Sequence, residues 1–322
     1  MTLPIEIEKP DITPLKNRHD GIDWVTTFDS GRTGPHVVIN ALIHGNEISG
    51  PWSLLRLLES GLRPQAGKLS LALANIEAFN AFDPADPGVT RYLDEDMNRL
   101  WIPEKLEGSG ETIELRRARE LLPLYRSADR LLDLHSMSTP SPALMISTVR
   151  AKGRVLAKAF GRPQFVVADR GHANGTRLID FGRFADPADP AVAILLEAGQ
   201  HWARVALDIS YACCLEMLRV TGIVDERDIE AHMPDLEKPE QKLVEVTHPV
   251  TIRNGTFRFE RDFTGLDIIE TAGTVIAMDG DEPVVTPYDN CVLVMPSKRL
   301  GPGLTAVRLG RLVSPDAFVE CP

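Results

Sequence analysis

Cysteine and long apolar segments are both scarce in this chain of 322 residues. The cysteines are Cys213, Cys214, Cys291 and Cys321, and none forms a Cys-x-x-Cys pair, which excludes a disulfide framework and a cysteine zinc site. No run reaches the ~18 apolar residues of a membrane span, and the N-terminus is acidic and interrupted by proline, unlike a signal peptide. We therefore expect a cytoplasmic protein that does not cross a membrane.

Positive charge is also in short supply. Lysine and arginine number 35 against 46 aspartates and glutamates, and the net charge is −11. An acidic surface disfavours nucleic acid and anionic membranes as main partners. An anionic small-molecule substrate would need a locally basic pocket, and self-association into a homo-oligomer stays open.

Short apolar runs recur along the first two thirds of the chain. They are HVVINALIHG, LSLALAN, RLLDLHS, ALMIST, QFVVAD and VAILLEAG. Most are apolar at nearly every position, which is typical of strands buried on both faces of a parallel or mixed sheet. Helical patterns alternate with them: PWSLLRLLES, ETIELRRARELLPLYRSA with a kink or break expected at Pro123, and RVALDISYACCLEMLRV. This alternation predicts an α/β fold with helices on both faces of the sheet.

The composition changes near residue 223. Residues 223–242 are charged and contain prolines, as in a connector or a surface helix, and the segments that follow are short, β-rich and separated by NG, AG, DG and PG turns. We predict an α/β domain over residues 1–235 and a smaller all-β domain over residues 236–322 that covers the site.

Two histidines and a glutamate lie where two apolar runs end. His44 and Glu47 stand three positions apart in LIHGNE, and His135 closes RLLDLHS. Side chains at this spacing on a turn point the same way, and Gly45 would allow a tight turn. Ligands of open α/β sheets bind at the carboxyl ends of strands, and two histidines with a carboxylate suit catalytic zinc. The sequence indicates one zinc ion per chain on these residues, against the alternative of ordinary core or surface side chains.

The segment RYLDEDMNRLW offers further polar groups. Asp96 could accept a hydrogen bond from the second nitrogen of a histidine ligand. Arg99, with Asn98 beside it, could bind a carboxylate through two hydrogen bonds, and Arg91 could polarise a scissile carbonyl. Without a metal site nearby, the segment would instead be a solvated loop.

Glu197 follows the apolar run VAILLEAG. A buried carboxylate is costly unless it is paired or used, and partial burial would raise its pKa toward the range of a general base. The alternative is a strand-end residue in solvent. His172 and His201 are nearby candidates for ligands or proton shuttles, and we favour structural roles for both.

The segments HGNE, RYLDEDMNR, DLHS and EAG, in this order, resemble the succinylglutamate desuccinylase and aspartoacylase family, itself similar to the zinc carboxypeptidases. The resemblance implies a zinc-carboxypeptidase-like mixed sheet with helices on both faces, plus a smaller C-terminal all-β domain that narrows the entrance. It also implies site roles: zinc on His44, Glu47 and His135, general base Glu197, carbonyl polarisation by Arg91, and substrate carboxylate binding by Asn98 and Arg99.

Other contacts of the family are harder to place. Aspartate-specific members use a further arginine and a tyrosine, for which Arg177 or Arg183 and Tyr288 are candidates. The C-terminal stretch AGTVIAMDGDEPVVTPYDNCVLVMPS also resembles a biotinyl or lipoyl carrier domain. Its tip reads Met295, Pro296, Ser297 where a carrier needs lysine, so we reject the carrier role and keep a lid as the expectation.

The sequence therefore predicts a zinc-dependent amidohydrolase that cleaves the amide bond of a small anionic N-acyl amino acid. One alternative is a metallo-carboxypeptidase acting on short or cell-wall peptides. An alternative of another class is a catalytically silent binding protein on a hydrolase scaffold.

Overall fold

The computed structural model describes residues 4–16, 21–86, 89–171 and 175–318. Most strands join one mixed sheet of 11 strands in the order β1-β3-β2-β4-β7-β5-β6-β8-β14-β13-β10, and β12, β11 and β9 form a second sheet of three. The strands are β1 Val25–Asp29, β2 His36–Ala41, β3 Lys68–Leu73, β4 Arg130–Met137, β5 Leu144–Ser147, β6 Phe165–Ala168, β7 Val192–Gln200, β8 Lys242–Thr251, β9 Arg258–Phe259, β10 Asp267–Ile269, β11 Val275–Asp279, β12 Glu282–Val285, β13 Cys291–Val294 and β14 Thr305–Val313.

Helices cover both faces of the large sheet. The apolar cluster on one face includes side chains of α1, α5 and α6, and the cluster on the other face includes those of α4. The helices are α1 Ser49–Glu59, α2 Ile76–Asn80, α3 Pro103–Leu106, α4 Ile113–Ser127, α5 Ala151–Phe160, α6 Arg204–Thr221 and α7 Glu226–His232. This confirms the predicted α/β class and the helices on both faces.

Strands β3, β2, β4 and β7 are neighbours and run parallel, whereas β5 is antiparallel to β7. They are buried at nearly every position, as their apolar composition predicts. The carboxyl ends of β2, β4 and β7 therefore lie side by side at one edge, which is where His44, His135 and Glu197 occur.

The C-terminal part is β-rich, as predicted, and it extends the main sheet. Strand β8 pairs in parallel with β6, and β14 pairs antiparallel with β8. Because hydrogen bonding runs through both parts, the division between residues 235 and 236 stays a prediction. In the part of the chain that the structure describes, no helix combines the length and apolarity needed to span a bilayer.

Two local predictions need correction. Helix α4 continues through Pro123 to Ser127, so the chain does not break there. Gly45 is needed for close packing rather than for a special turn: a Cβ built on it would lie 2.3 Å from the carbonyl carbon of Ala78 in α2. The residue with positive φ at this turn is Leu42, at 63°.

We expect Gly45→Ala to lower the free energy of unfolding by about 2 kcal/mol or more, since an overpacked methyl group must displace α2. Gly255→Ala is the matched control, because a Cβ there meets nothing within 4 Å. Urea unfolding of both variants tests this, and equal stabilities would contradict the packing argument.

Candidate active site

Strand alternation and register bring the polar side chains to one face of the sheet. His135 and Glu197 are direct partners across β4 and β7, and the neighbouring residues Leu134 and Leu196 point into the apolar cluster on the opposite face. His44 and Glu47 occupy the turn between β2 and α1, which is closed by a 3.2 Å bond from the Glu47 amide to the His44 carbonyl. The chain thus presents four polar groups at adjacent strand ends.

His44, Glu47 and His135 form a possible metal site. Their candidate ligand atoms all lie within 4.8 Å of one another, and all three residues are buried. The Nδ1 of His44 is 2.7 Å from Glu47 Oε1, and the Nδ1 of His135 is 3.1 Å from Glu47 Oε2. Both imidazoles therefore direct the same nitrogen at one carboxylate.

The opposite nitrogens also face carboxylates. His44 Nε2 lies 3.1 Å from Asp96 Oδ1, and His135 Nε2 lies 2.9 Å from Asp133 Oδ2. Asp133 is itself held, since its Oδ1 accepts a 2.7 Å bond from the Asn40 amide, and Asn40 Oδ1 accepts a 2.7 Å bond from the Tyr125 hydroxyl. A chain of hydrogen bonds thus runs from α4 through β2 to the histidine on β4.

These residues fit a divalent cation. Each imidazole lies between two carboxylates. This arrangement is favourable if both nitrogens of each buried ring carry a proton. It is also favourable if a cation lies between the two Nδ1 atoms and Glu47. Burial alone would lower the pKa of His135, but Asp133 and Glu47 raise it well above its usual value. Carboxylates that accept from the outer nitrogens of histidine ligands are the usual arrangement around bound metals.

Arg91 faces the same carboxylates. Its guanidinium lies 3.6 Å from Glu47 Oε1 and 3.5 Å from Asp96 Oδ2, at the end of the short helix Val89–Arg91. Its carbonyl accepts a 3.0 Å bond from the Gly45 amide, which ties this segment to the metal-site turn. The half-buried arginine is thus held beside the candidate ligands.

A buried glutamate anchors the loop that follows. Glu114, at the start of α4, accepts bonds of 2.8, 3.1 and 3.2 Å from the amides of Leu93, Asp94 and Glu95. It also accepts a 3.0 Å bond from the Asn75 amide. This fixes the backbone immediately before Asp96.

Asn98 and Arg99 close the loop in the short helix Met97–Arg99. The Asn98 Oδ1 accepts a 3.0 Å bond from the Leu178 amide, so its oxygen has a structural partner. Burial lowers the pKa of Arg99 to about 10, and Arg91, Arg308 and Arg177 act in the same direction. Arg99 therefore belongs to a group of neighbouring guanidinium groups.

Glu197 is buried on the face that carries the histidines. Among the described residues, its Oε2 has no hydrogen-bond partner. Burial raises the pKa of Glu197 to about 8, with Glu47 and Asp133 adding to the rise and His135 and Arg91 opposing it. A cation at the site would favour the charged form and lower this value. The carboxylate is held beside the candidate ligands without being tied to one partner.

The remaining candidates from the sequence have partners other than the candidate metal ligands. His201 accepts or donates a 2.8 Å bond with Ser136, and burial lowers its pKa to about 4. Arg183 pairs with Asp129 and Asp189 at the opposite ends of β4 and β7, so it cannot contact substrate at this site. Tyr288 bonds Thr247 in the C-terminal sheet. His172 lies outside the described residues.

Sequence reasoning missed Asp133, Asn40 and Tyr125. Asp133 was recognisable, because it stands two positions before His135 and alternation places both on one face of a strand. Asn40 and Tyr125 had no such signal, since their contacts join β2, β4 and α4 across 85 and 93 residues.

Arg177 also lies near this region, bonded to Asp169 and Asp180.

Comparisons with known proteins identify the family of this chain. The succinylglutamate desuccinylase/aspartoacylase catalytic domain model matches residues 33–217. A succinylglutamate desuccinylase from Burkholderia lata is 26% identical over 293 residues, covering 84% of this chain and 77% of the relative. The chain belongs to the succinylglutamate desuccinylase/aspartoacylase family.

Solved structures show the same fold. A succinylglutamate desuccinylase from Vibrio parahaemolyticus superposes with a TM-score of 0.64 at 23% identity, covering 88% of this chain and 83% of its own. One from Vibrio cholerae gives 0.65 at 19% identity, with 89% and 85% covered. These structures share a carboxypeptidase-like fold, which confirms the predicted fold class.

We expect Tyr125→Phe to lower the free energy of unfolding by about 1 to 2 kcal/mol, because it leaves the buried Asn40 oxygen without its donor. Tyr92→Phe, at a half-buried tyrosine, is the control. Urea denaturation compares them, and an unchanged midpoint for Tyr125→Phe would contradict the role of the bond.

Proposed function

We propose that the protein is a zinc-dependent amidohydrolase that removes the acyl group from a small anionic N-acyl amino acid. The convergence of both histidine Nδ1 atoms on Glu47, with Glu197 on the same face, is the observation that carries this proposal. Family membership supports the reaction class, since the matched domain is named for enzymes that act on such amides.

His44, Glu47 and His135 would hold the metal, and Asp96 and Asp133 would orient the two imidazoles. A zinc ion bound there supplies Lewis acidity toward a carbonyl and lowers the pKa of a water molecule. Zinc suits two imidazoles and one carboxylate, although other divalent metals can use the same ligands.

Glu197 would act as the general base and then as the acid. Its carboxylate takes a proton from the attacking water and later delivers a proton to the leaving nitrogen. Burial supports this role, because it brings the pKa of a carboxylate closer to neutrality than it is in water. The unpartnered oxygen supports it too, because a fully hydrogen-bonded carboxylate would be a poor proton acceptor.

Arg91 would stabilise the negative charge that develops on the carbonyl oxygen. Its guanidinium lies 3.6 Å from Glu47 Oε1. Because 29% of the Arg91 side chain is exposed, a substrate can reach it. Arg99 and Asn98 would together bind the carboxylate of the amino acid part, with Asn98 Oδ1 held by its bond from the Leu178 amide. These contacts orient the scissile bond before reaction.

Glu197→Gln is expected to retain metal and fold while losing activity by about a hundredfold or more, since an amide cannot accept the proton. Steady-state assays on a panel of acyl amino acids, with metal analysis of the same samples, test this. Glu77→Gln on the exposed side of α2 is the control. Full turnover by Glu197→Gln would refute the base assignment.

His135→Ala is expected to be purified without the stoichiometric metal found in the wild type, because one of three ligands is lost and two remain. Elemental analysis after dialysis gives the metal-to-protein ratio, and circular dichroism checks the fold. His248→Ala, at an exposed histidine of β8, should keep the metal. Equal metal in both variants would contradict the ligand assignment.

A further inference from the structure

We propose that Trp202 is a positioning residue for the candidate metal site, because its indole holds the peptide bond that leads into Glu47. This proposal rests on the proposed function, in which Glu47 binds the metal. It concerns the affinity for a divalent cation and is independent of the identity of the substrate. Trp202 lies just beyond the end of β7 at Gln200, the strand that also carries Glu197.

The peptide bond between Asn46 and Glu47 is held at both of its polar ends. Its N–H group, on Glu47, donates to the His44 carbonyl at 3.2 Å. Its carbonyl group, on Asn46, accepts a 3.2 Å bond from the indole Nε1 of Trp202. Because the peptide unit is planar, these two bonds restrict its rotation and therefore the backbone angles on either side. They help to set where the Glu47 carboxylate lies.

The indole is itself anchored by its backbone and by its ring. The Trp202 amide donates a 3.0 Å bond to Gln200 Oε1, and the Trp202 carbonyl accepts a 3.0 Å bond from the Glu6 amide. Trp202 is only 6% exposed, and it belongs to the apolar cluster that also contains Ile48, the residue after Glu47. These contacts keep Nε1 in position to donate to the turn.

The preceding residue, His201, supports Glu47 through its carboxylate. The His201 amide donates to the Met137 carbonyl at 2.9 Å, and the His201 Nδ1 shares a 2.8 Å bond with the Ser136 hydroxyl. The Ser136 amide in turn donates to Glu47 Oε2 at 3.3 Å. The two residues after β7 therefore connect the two segments that carry the candidate metal ligands.

Packing alone is the alternative explanation for a buried tryptophan. A buried indole N–H usually finds an acceptor, so the bond to Asn46 could merely satisfy it. In this protein, however, Trp101 is buried, and among the described residues its Nε1 has no hydrogen-bond partner. The core thus tolerates an indole without such a bond. A ligand that is already ordered binds more tightly, which gives the bond of Trp202 a role at the metal site.

The test removes the indole N–H and measures zinc binding. Trp202→Phe keeps an aromatic ring in the cluster but cannot donate to Asn46. Its dissociation constant for zinc, measured by competition with a chromophoric chelator, should rise about tenfold, as for other groups that orient metal ligands. Trp52→Phe is the matched control, because Trp52 on α1 donates a similar bond of 2.7 Å to the Glu8 carbonyl, outside the metal-site turn. The control should bind zinc as the wild type does.

Trp202→Phe also reduces the volume of the ring, so a second replacement isolates the hydrogen bond. Benzothienylalanine at position 202 keeps the bicyclic ring and has sulfur in place of the N–H group. It should weaken zinc binding as Trp202→Phe does. Unchanged zinc affinity with this side chain would mean that only packing matters and would overturn the proposal.

Hydrogen exchange on the metal-free proteins gives a readout without zinc. The Glu47 amide should exchange faster in both variants at position 202, because the other end of its peptide bond is released, and not in Trp52→Phe. Equal exchange in all of these proteins would contradict the positioning role.

The outcomes separate this inference from the proposed function. Equal zinc affinity in the wild type and in every variant would overturn the role of Trp202 and leave the proposed function standing. A wild type that binds zinc and hydrolyses no acyl amino acid would refute the proposed function, while the affinities would still decide the role of Trp202. A wild type that binds no zinc would overturn both.

Discussion

The arrangement of this molecule depends on one electrostatic constraint: two buried imidazoles direct their Nδ1 atoms at the carboxylate of Glu47. The outer nitrogens of both rings face further carboxylates, so the group is stable only with protons or a cation between its members. Burial strengthens every one of these interactions, because the effective dielectric constant falls away from water. A divalent cation can bind His44, Glu47 and His135 at the same time. Without such a partner, burying these polar side chains in an apolar core would be costly.

The surrounding structure keeps this group rigid. Parallel pairing of β2, β4 and β7 sets the spacing of the strand ends, and Asn40 and Tyr125 fix the orientation of Asp133. On the other side, Glu114 holds the backbone that presents Asp96. The protein has a net charge of −11. Four arginines nevertheless lie near one another at the site, namely Arg91, Arg99, Arg177 and Arg308. Ion pairs with Asp96, Asp169 and Asp180 hold Arg91, Arg177 and Arg308 in this region.

Much of the fold follows from local patterns in the sequence. Each of the six short apolar runs forms a strand, because residues buried on both faces of a sheet must be apolar at consecutive positions. His44, Glu47 and His135 could be connected before the structure was known, since residues after parallel strands meet at one edge. Whether their roles and those of Arg91 and Asn98 are as assigned stays a prediction.

Contacts between segments that are distant in the chain could not be predicted from local sequence patterns. Nothing local to Arg308 shows that β14 joins the main sheet through β8, yet that pairing places it near Asp169. Strand β1 is short and carries the polar residues Thr26 and Thr27. Its sequence therefore did not differ enough from that of a turn to predict a strand. The reason for Gly45 was also hidden, because it depends on where α2 packs.

Anomalous diffraction at the zinc edge, from crystals of protein loaded with zinc, tests whether His44, Glu47 and His135 bind the metal. We expect one zinc ion per chain, bound to the Nδ1 atoms of His44 and His135 and to the carboxylate of Glu47. A zinc ion bound elsewhere, or coordination through the Nε2 atoms with Asp96 and Asp133 displaced, would contradict it.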